Sequence, residues 1–246
     1  MFSERHELRG AGTRFSLACG LMDHPVFKVM SSTVRSLVSA EARRLTLKPG
    51  EEGPEESLLF VMKGILGVYE AGTGLAVAAI GPGTLLGGQG VSSSEPASRA
   101  RAICDCVIYV VPISILSQLG GATWIHRFLT AHVTSRARML GSERLCANSH
   151  SEVERLAKWC LRLRHAQLSV HDELAPKTWA SLVGLGEADL VRVWGQLAEQ
   201  GAVAARPGEV QGFQAERLSH LACDCDLELD DGGVERRSRR RLIRRH

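Results

Sequence analysis

Cysteine and histidine near the C-terminus are the residues of this chain best suited to binding a metal ion. His220, Cys223 and Cys225 lie close together, among seven cysteines and nine histidines in 246 residues. Thiolate and imidazole ligands suit zinc, but a structural zinc site takes four ligands and often contains a Cys-x2-Cys pair. This stretch supplies neither a clear fourth ligand nor that spacing. We therefore interpret these residues as ordinary thiols and predict no metal and no cofactor.

A second stretch with chemical potential is GTLLGGQGVSSSEPASRARA, which combines glycines, serines and two arginines. Backbone amides, hydroxyls and guanidinium groups of this kind can hold an anion. The serine run Ser92, Ser93 and Ser94, followed by Arg99, is also typical of a flexible surface loop. We favour the loop interpretation.

Catalytic motifs are not evident. The chain has no P-loop, no nucleophile elbow, no HExxH sequence and no convincing pair of acids. No stretch approaches the roughly 20 apolar residues of a membrane span, and the charged start MFSERHELRGAGTRF lacks the apolar block of a signal peptide. We predict a cytoplasmic protein that is neither an enzyme nor attached to a membrane.

The N-terminal half predicts β-structure. Between Glu41 and Pro112, the apolar runs SLLFVMKG, ILGVYEAG, LAVAAIGPG and RAICDCVIYVV are separated by glycine and proline turns. Short runs of this kind favour an antiparallel sandwich or barrel. Residues 17–39 and 113–119 have helical spacing and are expected to flank it.

After Thr123 the chain predicts one long helix. WIHRFLTAHVTSRARMLGSERLCANS has no proline, and it carries apolar residues in a rough helical stripe at positions 125, 128, 129, 133, 139, 140 and 145. Such a helix commonly pairs with a second copy of itself, although it can also pack on its own barrel. We favour dimerisation.

A further helix begins at Ser151, which has the capping-box spacing with Glu154. Its apolar residues supply one buried side. We interpret its basic residues as a solvated face, and these are Arg155, Lys158, Arg162 and Arg164.

The C-terminal part follows the plan of a winged helix-turn-helix. Residues 178–183 predict a short helix, Gly184 permits a tight turn, and residues 187–200 predict a second helix that stops at Gly201. AVAARPGEVQGF then predicts two strands around a Pro-Gly turn, which form the wing. Two helices joined in this way commonly enter a DNA groove. The second helix is expected to turn these residues inward: Leu190, Val193, Trp194 and Leu197.

The charge of this part fits DNA poorly. Residues 166–222 hold four basic and seven acidic side chains, whereas neutralised phosphates supply much of the affinity for DNA. The last twelve residues, ERRSRRRLIRRH, hold seven arginines, and without them the net charge changes from +3 to −3. We predict a disordered basic tail over residues 226–246 that supplies the electrostatic attraction to nucleic acid.

The order of the predicted elements and the spacing of their motifs together resemble the CRP/FNR transcription regulators over roughly residues 17–225. The most specific stretches are HSEVERLAKWCLRL, SLVGL and AERLSHLACDCD. The resemblance implies an α+β fold. An N-terminal antiparallel β-roll, similar to a cupin jelly roll and to cyclic-nucleotide-binding domains, covers residues 1–122. A long dimerisation helix covers residues 123–148, and a winged helix-turn-helix covers residues 149–225. It also implies a bacterial homodimer that binds a palindromic DNA site and contacts RNA polymerase.

The sequence departs from the family at the start of the second helix. Typical members place there an arginine that contacts guanine, whereas the matching residue is Glu187 and its neighbour is Ala188. Only Arg192 matches a basic position of the family. Either Glu187 reads a different base, since glutamate accepts from cytosine N4, or Glu187 and Asp189 only stabilise the helix start. The candidate DNA contacts are Lys177, Thr178, Glu187, Ala188, Asp189, Arg192 and Arg206.

The effector pocket departs as well. Members that bind cyclic AMP have Gly-Glu-Leu followed by an Arg-Ser pair, and a Thr-Ser pair on the long helix. Here Gly87 matches the glycine, but the Thr-Ser pair falls at about Leu140 and Gly141. We predict no usual response to cyclic AMP, and the small-molecule effector stays unidentified. The candidate pocket residues are Gly87, Gly88, Gln89, Ser92, Ser93, Arg99 and Arg101.

Cysteine placement argues against an iron–sulfur sensor of this family. Such a sensor needs several closely spaced cysteines near the N-terminus, whereas only Cys19 lies there. Cys104 and Cys106 are two positions apart in an apolar run, which predicts a strand with both thiols on one face.

Two functions are therefore open. The first is a dimeric, sequence-specific DNA-binding regulator of the CRP/FNR type. The second is an interaction protein with the same scaffold that has lost base reading and acts through a protein partner, another regulator or mixed dimers. We favour the first because the resemblance spans nearly the whole chain.

Overall fold

The computed structural model describes residues 20–70, 72–87, 98–115, 123–166, 174–204, 206 and 212–226. A β-rich N-terminal half is followed by a helical C-terminal half. In chain order the elements are α1 (Pro25–Lys28), α2 (Ser32–Glu41), β1 (Arg43–Leu47), β2 (Ser57–Lys63), β3 (Leu66–Glu70), β4 (Ala76–Ile80), β5 (Leu85–Leu86), β6 (Ser98–Ala102), β7 (Cys106–Pro112), α3 (Thr123–Ser149), α4 (Glu152–His165), α5 (Pro176–Val183), α6 (Glu187–Glu199) and α7 (Ala215–Leu221), and a 3-10 turn covers Asp224–Asp226.

The N-terminal half contains two antiparallel sheets, as the sequence predicted. One has the strand order β1-β7-β2-β5 and the other β4-β3-β6. Along β2, Leu59 and Val61 pack between the two sheets, whereas Leu58 and Phe60 pack with α1 and α2 on the outer face. Because both faces of β2 are covered, its sequence is continuously apolar rather than alternating.

The prediction of one strand for RAICDCVIYVV was wrong. The run contains β6, which ends at Ala102 in the three-stranded sheet, and β7, which begins at Cys106 in the four-stranded sheet. Cys104 lies in the turn between them and packs with the helical half, whereas Cys106 packs between the sheets. The two thiols do not share a face, because the chain turns from one sheet to the other between them.

The N-terminal helical region is interrupted, where the spacing predicted helix over residues 17–39. Pro25 starts α1, since its fixed φ suits a first helical turn. Ser31 starts α2 by accepting a hydrogen bond from the Val34 amide at 3.4 Å. Residues 17–19, and residues 116–119 of the second predicted flanking helix, lie outside the described residues.

The long helix α3 spans 27 residues. Met139 and Leu140 pack against the core between the sheets, whereas Leu145 is 68% exposed. The described part of the apolar stripe is thus divided between the helix's own β-roll and solvent. The side chains at positions 125, 128, 129 and 133 lie outside the described residues, so dimerisation through this helix stays a prediction. No helix in the described ranges is long and apolar enough to cross a membrane.

Helix α4 begins at the predicted capping box. The Ser151 hydroxyl accepts from the Glu154 amide at 3.3 Å, and the Glu154 carboxylate accepts from the Ser151 amide at 2.8 Å. The prediction of a solvated basic face was wrong for Lys158 and Arg162, whose side chains are 2% and 13% exposed. The Lys158 ammonium group binds Glu143 of α3, whose carboxylate also pairs with Arg162. Burial is tolerated because the charges are paired and hydrogen-bonded.

Helices α5 and α6 form the predicted helix-turn-helix around an aromatic core. The rings of Trp179 and Trp194 meet edge to face with centroids 5.2 Å apart, and Phe213 packs 5.9 Å from Trp179. The Trp194 indole N–H donates to the carbonyl of Ala204 at 2.8 Å, which satisfies the one polar group of a buried ring. Helix α5 begins at Pro176, two residues before the predicted start.

The predicted wing is described only at its base. Ala202 and Gln214 are joined by a backbone hydrogen bond of 2.9 Å, so the two arms lie side by side. The described residues of these arms form no regular strand pair. The predicted Pro-Gly tip lies outside the described residues.

Candidate nucleic-acid interface

The turn between α5 and α6 is fixed by backbone geometry. Gly184 ends α5 in the left-handed conformation, with φ of 71°, which glycine adopts without steric cost. The Leu185 amide then donates to the carbonyl of Ala180 at 2.9 Å. Arg155 of α4 donates from Nη1 to the carbonyl of Val183 at 3.1 Å. These bonds satisfy the carbonyls at the end of α5 and set the direction in which α6 leaves the turn.

Helix α6 has a clear inner and outer side. The residues predicted to face inward are fully buried, and they are Leu190, Val193, Trp194 and Leu197. The predicted contacts Glu187, Ala188, Asp189 and Arg192 are all exposed at its N-terminal end. The structure therefore places them together on one free surface, where a groove of DNA would meet a recognition helix.

Arg192 is held on the protein by two carboxylates. Its Nη2 lies 2.5 Å from Oε2 of Glu152, at the start of α4, and 3.4 Å from Oδ1 of Asp189, one turn earlier on α6. The hydrogen bond to Glu152, followed by that to Asp189, raises the pKa of the guanidinium. The only basic side chain of α6 is thus neutralised where a positive charge would favour phosphate or guanine.

The acids at the start of α6 have a structural role of their own. Gly186 precedes the helix and gives no side-chain cap, whereas Glu187 and Asp189 occupy the first turn. Carboxylates at this end oppose the positive pole of the helix dipole and stabilise it by a few tenths of a kcal/mol when exposed. The exposed end of α6 therefore combines a helix-stabilising acidic turn with a neutralised arginine.

The other predicted DNA contacts lie on α5 and at the base of the wing. Lys177 is exposed in the first turn of α5, and Thr178 beside it is half-buried. Arg206 is exposed at the base of the wing. Lys177 and Arg206 are the positions from which cations could contact phosphates beside the groove.

The predicted effector region is only partly described. Gly87 follows β5 and is buried, and a Cβ at this position would lie 2.4 Å from Cδ2 of Leu58. A larger residue there would require the Leu58 side chain to move, so close packing against the sheet explains this glycine without a ligand nearby. The other four residues of this part of the site, Gly88, Gln89, Ser92 and Ser93, lie outside the described residues.

The two arginines predicted for the pocket are paired with acids. Arg99 lies 3.5 Å from Glu52 and 3.8 Å from Glu55, and Arg101 lies 3.1 Å from Glu52. Arg101 also stacks over the ring of Tyr69 at 5.1 Å. A phosphate would have to displace these carboxylates from both guanidinium groups.

A cleft of about 360 Å³ opens elsewhere, between the β3–β4 turn, α3 and the helix-turn-helix. Glu70 on its wall is 4% exposed and pairs with Arg144 of α3. The Thr73 hydroxyl donates to Glu70 at 2.5 Å. The predicted pocket residues do not line this cleft.

The C-terminal cysteines meet partners that the sequence did not suggest. His220 is exposed, whereas Cys223 and Cys225 lie beside Cys146 of α3 and His150, which directly follows that helix. Two features of the sequence could have indicated this cluster. Cys146 and His150 are four positions apart, a spacing that places two residues on one face of a helix. A Cys-x-Cys pair follows later in the chain.

No protein-family model and no curated protein matches this chain. Solved structures do match its fold. FixK2 from Bradyrhizobium japonicum is 22% identical with a TM-score of 0.57, over 74% of this chain and 98% of that one. TTHA1359, a transcriptional regulator of the CRP/FNR family from Thermus thermophilus, is 20% identical with a TM-score of 0.54, over 73% and 98%. The c-di-GMP responsive global regulator CLP from Xanthomonas campestris is 15% identical with a TM-score of 0.56, over 72% and 97%. The fold is that of CRP/FNR transcription regulators.

Proposed function

We propose that this chain is a divergent, cytoplasmic DNA-binding transcription regulator of the CRP/FNR type that acts as a homodimer on a palindromic site. The observation that carries the proposal is the exposed end of α6, presented by a helix-turn-helix with a fully buried inner side. The β-roll and long helix that precede it complete the scaffold shared with the transcription regulators named above. Contact with RNA polymerase or with a second regulator belongs to the same proposal.

Selection of DNA by the purified full-length chain tests this function. Randomised duplexes and fragmented genomic DNA are enriched at low salt, and an enriched site with two symmetric halves is expected. Replacing Arg192 with alanine should weaken binding to that site because α6 loses its only cation. Lys28→Ala, which removes the same charge from the β half, is the control and should bind normally. No enrichment of any duplex by the wild-type chain would contradict the proposal.

The effector is proposed to differ from cyclic AMP. Support comes from Arg99 and Arg101, which are paired with Glu52, and from the Gly-Gly-Gln sequence at positions 87–89. Calorimetric titration with cyclic AMP should give no heat of specific binding at millimolar ligand. A saturable signal with one ligand per chain would contradict this part of the proposal.

The pairing of Arg192 favours a second function. Glu152 and Asp189 bind this side chain, and Glu187 occupies the base-reading position. Because neither feature favours DNA, the domain can serve as a CRP-like interaction module. In that case Glu187→Arg should create DNA binding that the wild-type chain lacks, and the wild-type chain should form mixed dimers with a DNA-binding relative. Clear footprints by the wild-type homodimer, with no stable protein partner, would contradict the second function.

A further inference from the structure

Four potential metal ligands lie close together where the C-terminal end of the long helix α3 contacts the segment that follows α7. Cys146 lies in the last turn of α3 and His150 directly follows that helix, whereas Cys223 and Cys225 follow α7. One ligand atom from each residue lies within 4.8 Å of the other three. Sγ of Cys146 is 3.5 Å from Sγ of Cys223, and Sγ of Cys225 is 3.4 Å from Nδ1 of His150. Residues separated by 77 positions are thus brought to one point.

The two shortest separations, 3.4 and 3.5 Å, are close to the edges of a tetrahedron around a zinc ion, and all four ligand atoms lie within 4.8 Å of one another. Zinc binds cysteine sulfur at about 2.3 Å and histidine nitrogen at about 2.0–2.1 Å, so neighbouring ligand atoms lie about 3.6–3.8 Å apart. A disulfide needs its sulfur atoms at about 2.05 Å, and it would use only two of the four residues. The arrangement therefore fits a single tetrahedral ion better than a Cys146–Cys223 bond.

We propose that Cys146, His150, Cys223 and Cys225 bind one Zn²⁺ ion in a structural Cys3His site. All four positions around the ion are taken by protein side chains, which is the mark of a structural site rather than a catalytic one. The proposal replaces the expectation of no metal, which rested on the missing fourth ligand near His220. His220 is not one of the four ligands, and Cys146 and His150 supply the two that the C-terminal segment lacks.

Charge around the cluster supports the assignment. Three thiolates and one Zn²⁺ carry a net charge of −1, and the Lys158 ammonium lies 3.0 Å from Sγ of Cys146. Lys158 also pairs with Glu143, which binds Arg162 as well, so these three side chains carry a net charge of +1 beside the cluster.

The site would fasten the helix-turn-helix half to the long helix. Cys146 and His150 precede Ser151, where α4 begins, whereas Cys223 and Cys225 come after the last helix of that half. The Ser142 hydroxyl donates to the carbonyl of Cys225 at 3.3 Å and already joins the same two segments. A bound ion would therefore close the chain from α3 to α7 into a loop and fix the angle between α3 and α4.

Metal analysis of the full-length chain tests the proposal, using protein purified without a histidine tag. Elemental analysis should find one zinc per chain. After chelation, titration with Co²⁺ should produce the intense visible bands of a tetrahedral cobalt ion and a thiolate-to-cobalt charge-transfer band, both saturating at one ion per chain. Chelation should also lower the midpoint of thermal unfolding.

Matched histidine variants identify the ligands. His150→Ala should lower cobalt affinity by roughly tenfold or more, because even loss of an outer partner of a ligand costs 10–100-fold. His220→Ala removes an exposed histidine near Cys223 and should leave affinity and stoichiometry unchanged. Cys225→Ser should reduce the charge-transfer intensity.

Three results would overturn the zinc site. The first is a wild-type chain that gives neither zinc nor tetrahedral cobalt bands. The second is equal cobalt affinity in His150→Ala and wild type. The third is protein isolated under anaerobic conditions that contains iron and sulfide, or a Cys146–Cys223 disulfide, in place of zinc. The cobalt titration of the wild-type chain tests the zinc site even if a cysteine variant fails to fold.

Discussion

Arg192 is exposed on α6, but two carboxylates of the protein already bind its guanidinium group. These carboxylates belong to Glu152 and Asp189. Pairs of exposed charges are weak and are screened by salt, so DNA phosphate can compete for the same group. If α6 binds DNA as proposed, these acids should therefore weaken the binding without preventing it.

Replacing Glu152 with glutamine should therefore strengthen DNA binding. The change keeps the shape of the side chain and removes the stronger of the two carboxylate partners of Arg192. We expect an increase of about two- to fivefold in affinity at low salt, in line with the small energies of surface ion pairs. Fluorescence anisotropy with the selected duplex measures it. Glu216→Gln on α7 changes the charge equally and should alter affinity less; equal effects of the two variants would show that only net charge matters.

Lys158 is the second residue whose neighbours decide its role. Its ammonium lies 2.7 and 2.9 Å from the two oxygens of Glu143, which is 4% exposed. Removing one partner of a buried ion pair leaves the other charge without compensation.

Lys158→Met should lower the free energy of unfolding by roughly 3 kcal/mol. The double variant with Glu143→Met should recover part of that loss, because no unpaired carboxylate remains. Urea unfolding of chelated protein measures both, and Lys177→Met on the surface should change stability by less than about 0.5 kcal/mol. A single variant as stable as wild type would mean that Arg162 alone compensates Glu143.

At the scale of elements, two glycines in the helix-turn-helix have opposite roles. Gly184 ends α5 with positive φ, and a Cβ there would meet nothing closer than 3.8 Å. Gly195 lies within α6, where no atom other than the neighbouring backbone of the helix itself lies within 4 Å of an added Cβ. Because neither position is crowded, the effect of a substitution at Gly184 or Gly195 depends on the backbone conformation alone.

Alanine at these positions should shift stability in opposite directions. Gly184→Ala should cost about 1 kcal/mol because an L-residue is strained in the left-handed region. Gly195→Ala should stabilise by about 0.5–1 kcal/mol, since glycine weakens a helix interior. Thermal unfolding midpoints measure both, and the same sign for the two variants would contradict the turn geometry. Gly184→Ala should also weaken DNA binding, because the turn sets the direction of α6.

At the scale of the whole molecule, the two halves share packing surfaces. A Cβ at Gly81 after β4 would lie 2.2 Å from the carbonyl oxygen of Ala166 after α4. Tyr69 of the three-stranded sheet belongs to the same apolar cluster as Leu156 and Trp179 of the helical half. The roll therefore has three packed faces: one against α1 and α2, one between the sheets, and one against the helical half.

The uneven distribution of net charge along the whole chain predicts that DNA binding depends on salt concentration. Deleting residues 235–246, which carry seven arginines, leaves a chain of charge −3. We expect the deletion to weaken DNA binding and to flatten the slope of log affinity against log salt, since each lost phosphate contact removes about 0.9 from the slope. Replacing the seven arginines with lysine should preserve the slope. An unchanged slope in the truncated chain would exclude the tail from DNA binding.

The sequence by itself determined the elements whose pattern is local. Apolar runs between glycines predicted the strands, Ser151 and Glu154 predicted a helix start, and Gly184 predicted the turn. These signals work because periodicity, capping and positive φ depend on residues within a few positions of one another.

Only the tertiary structure decided the contacts between distant positions. It split the run around Cys104 between two sheets, buried Lys158 against Glu143, tied Arg192 to Glu152, and brought Cys146 to Cys223. A charge on a helix surface looks solvated in sequence because its partner comes from another element. The four ligands looked like an incomplete set for the same reason: α3 and the residue directly after it supply two of them, and the packing of α3 against the end of the helical half is not encoded in the spacing of either segment.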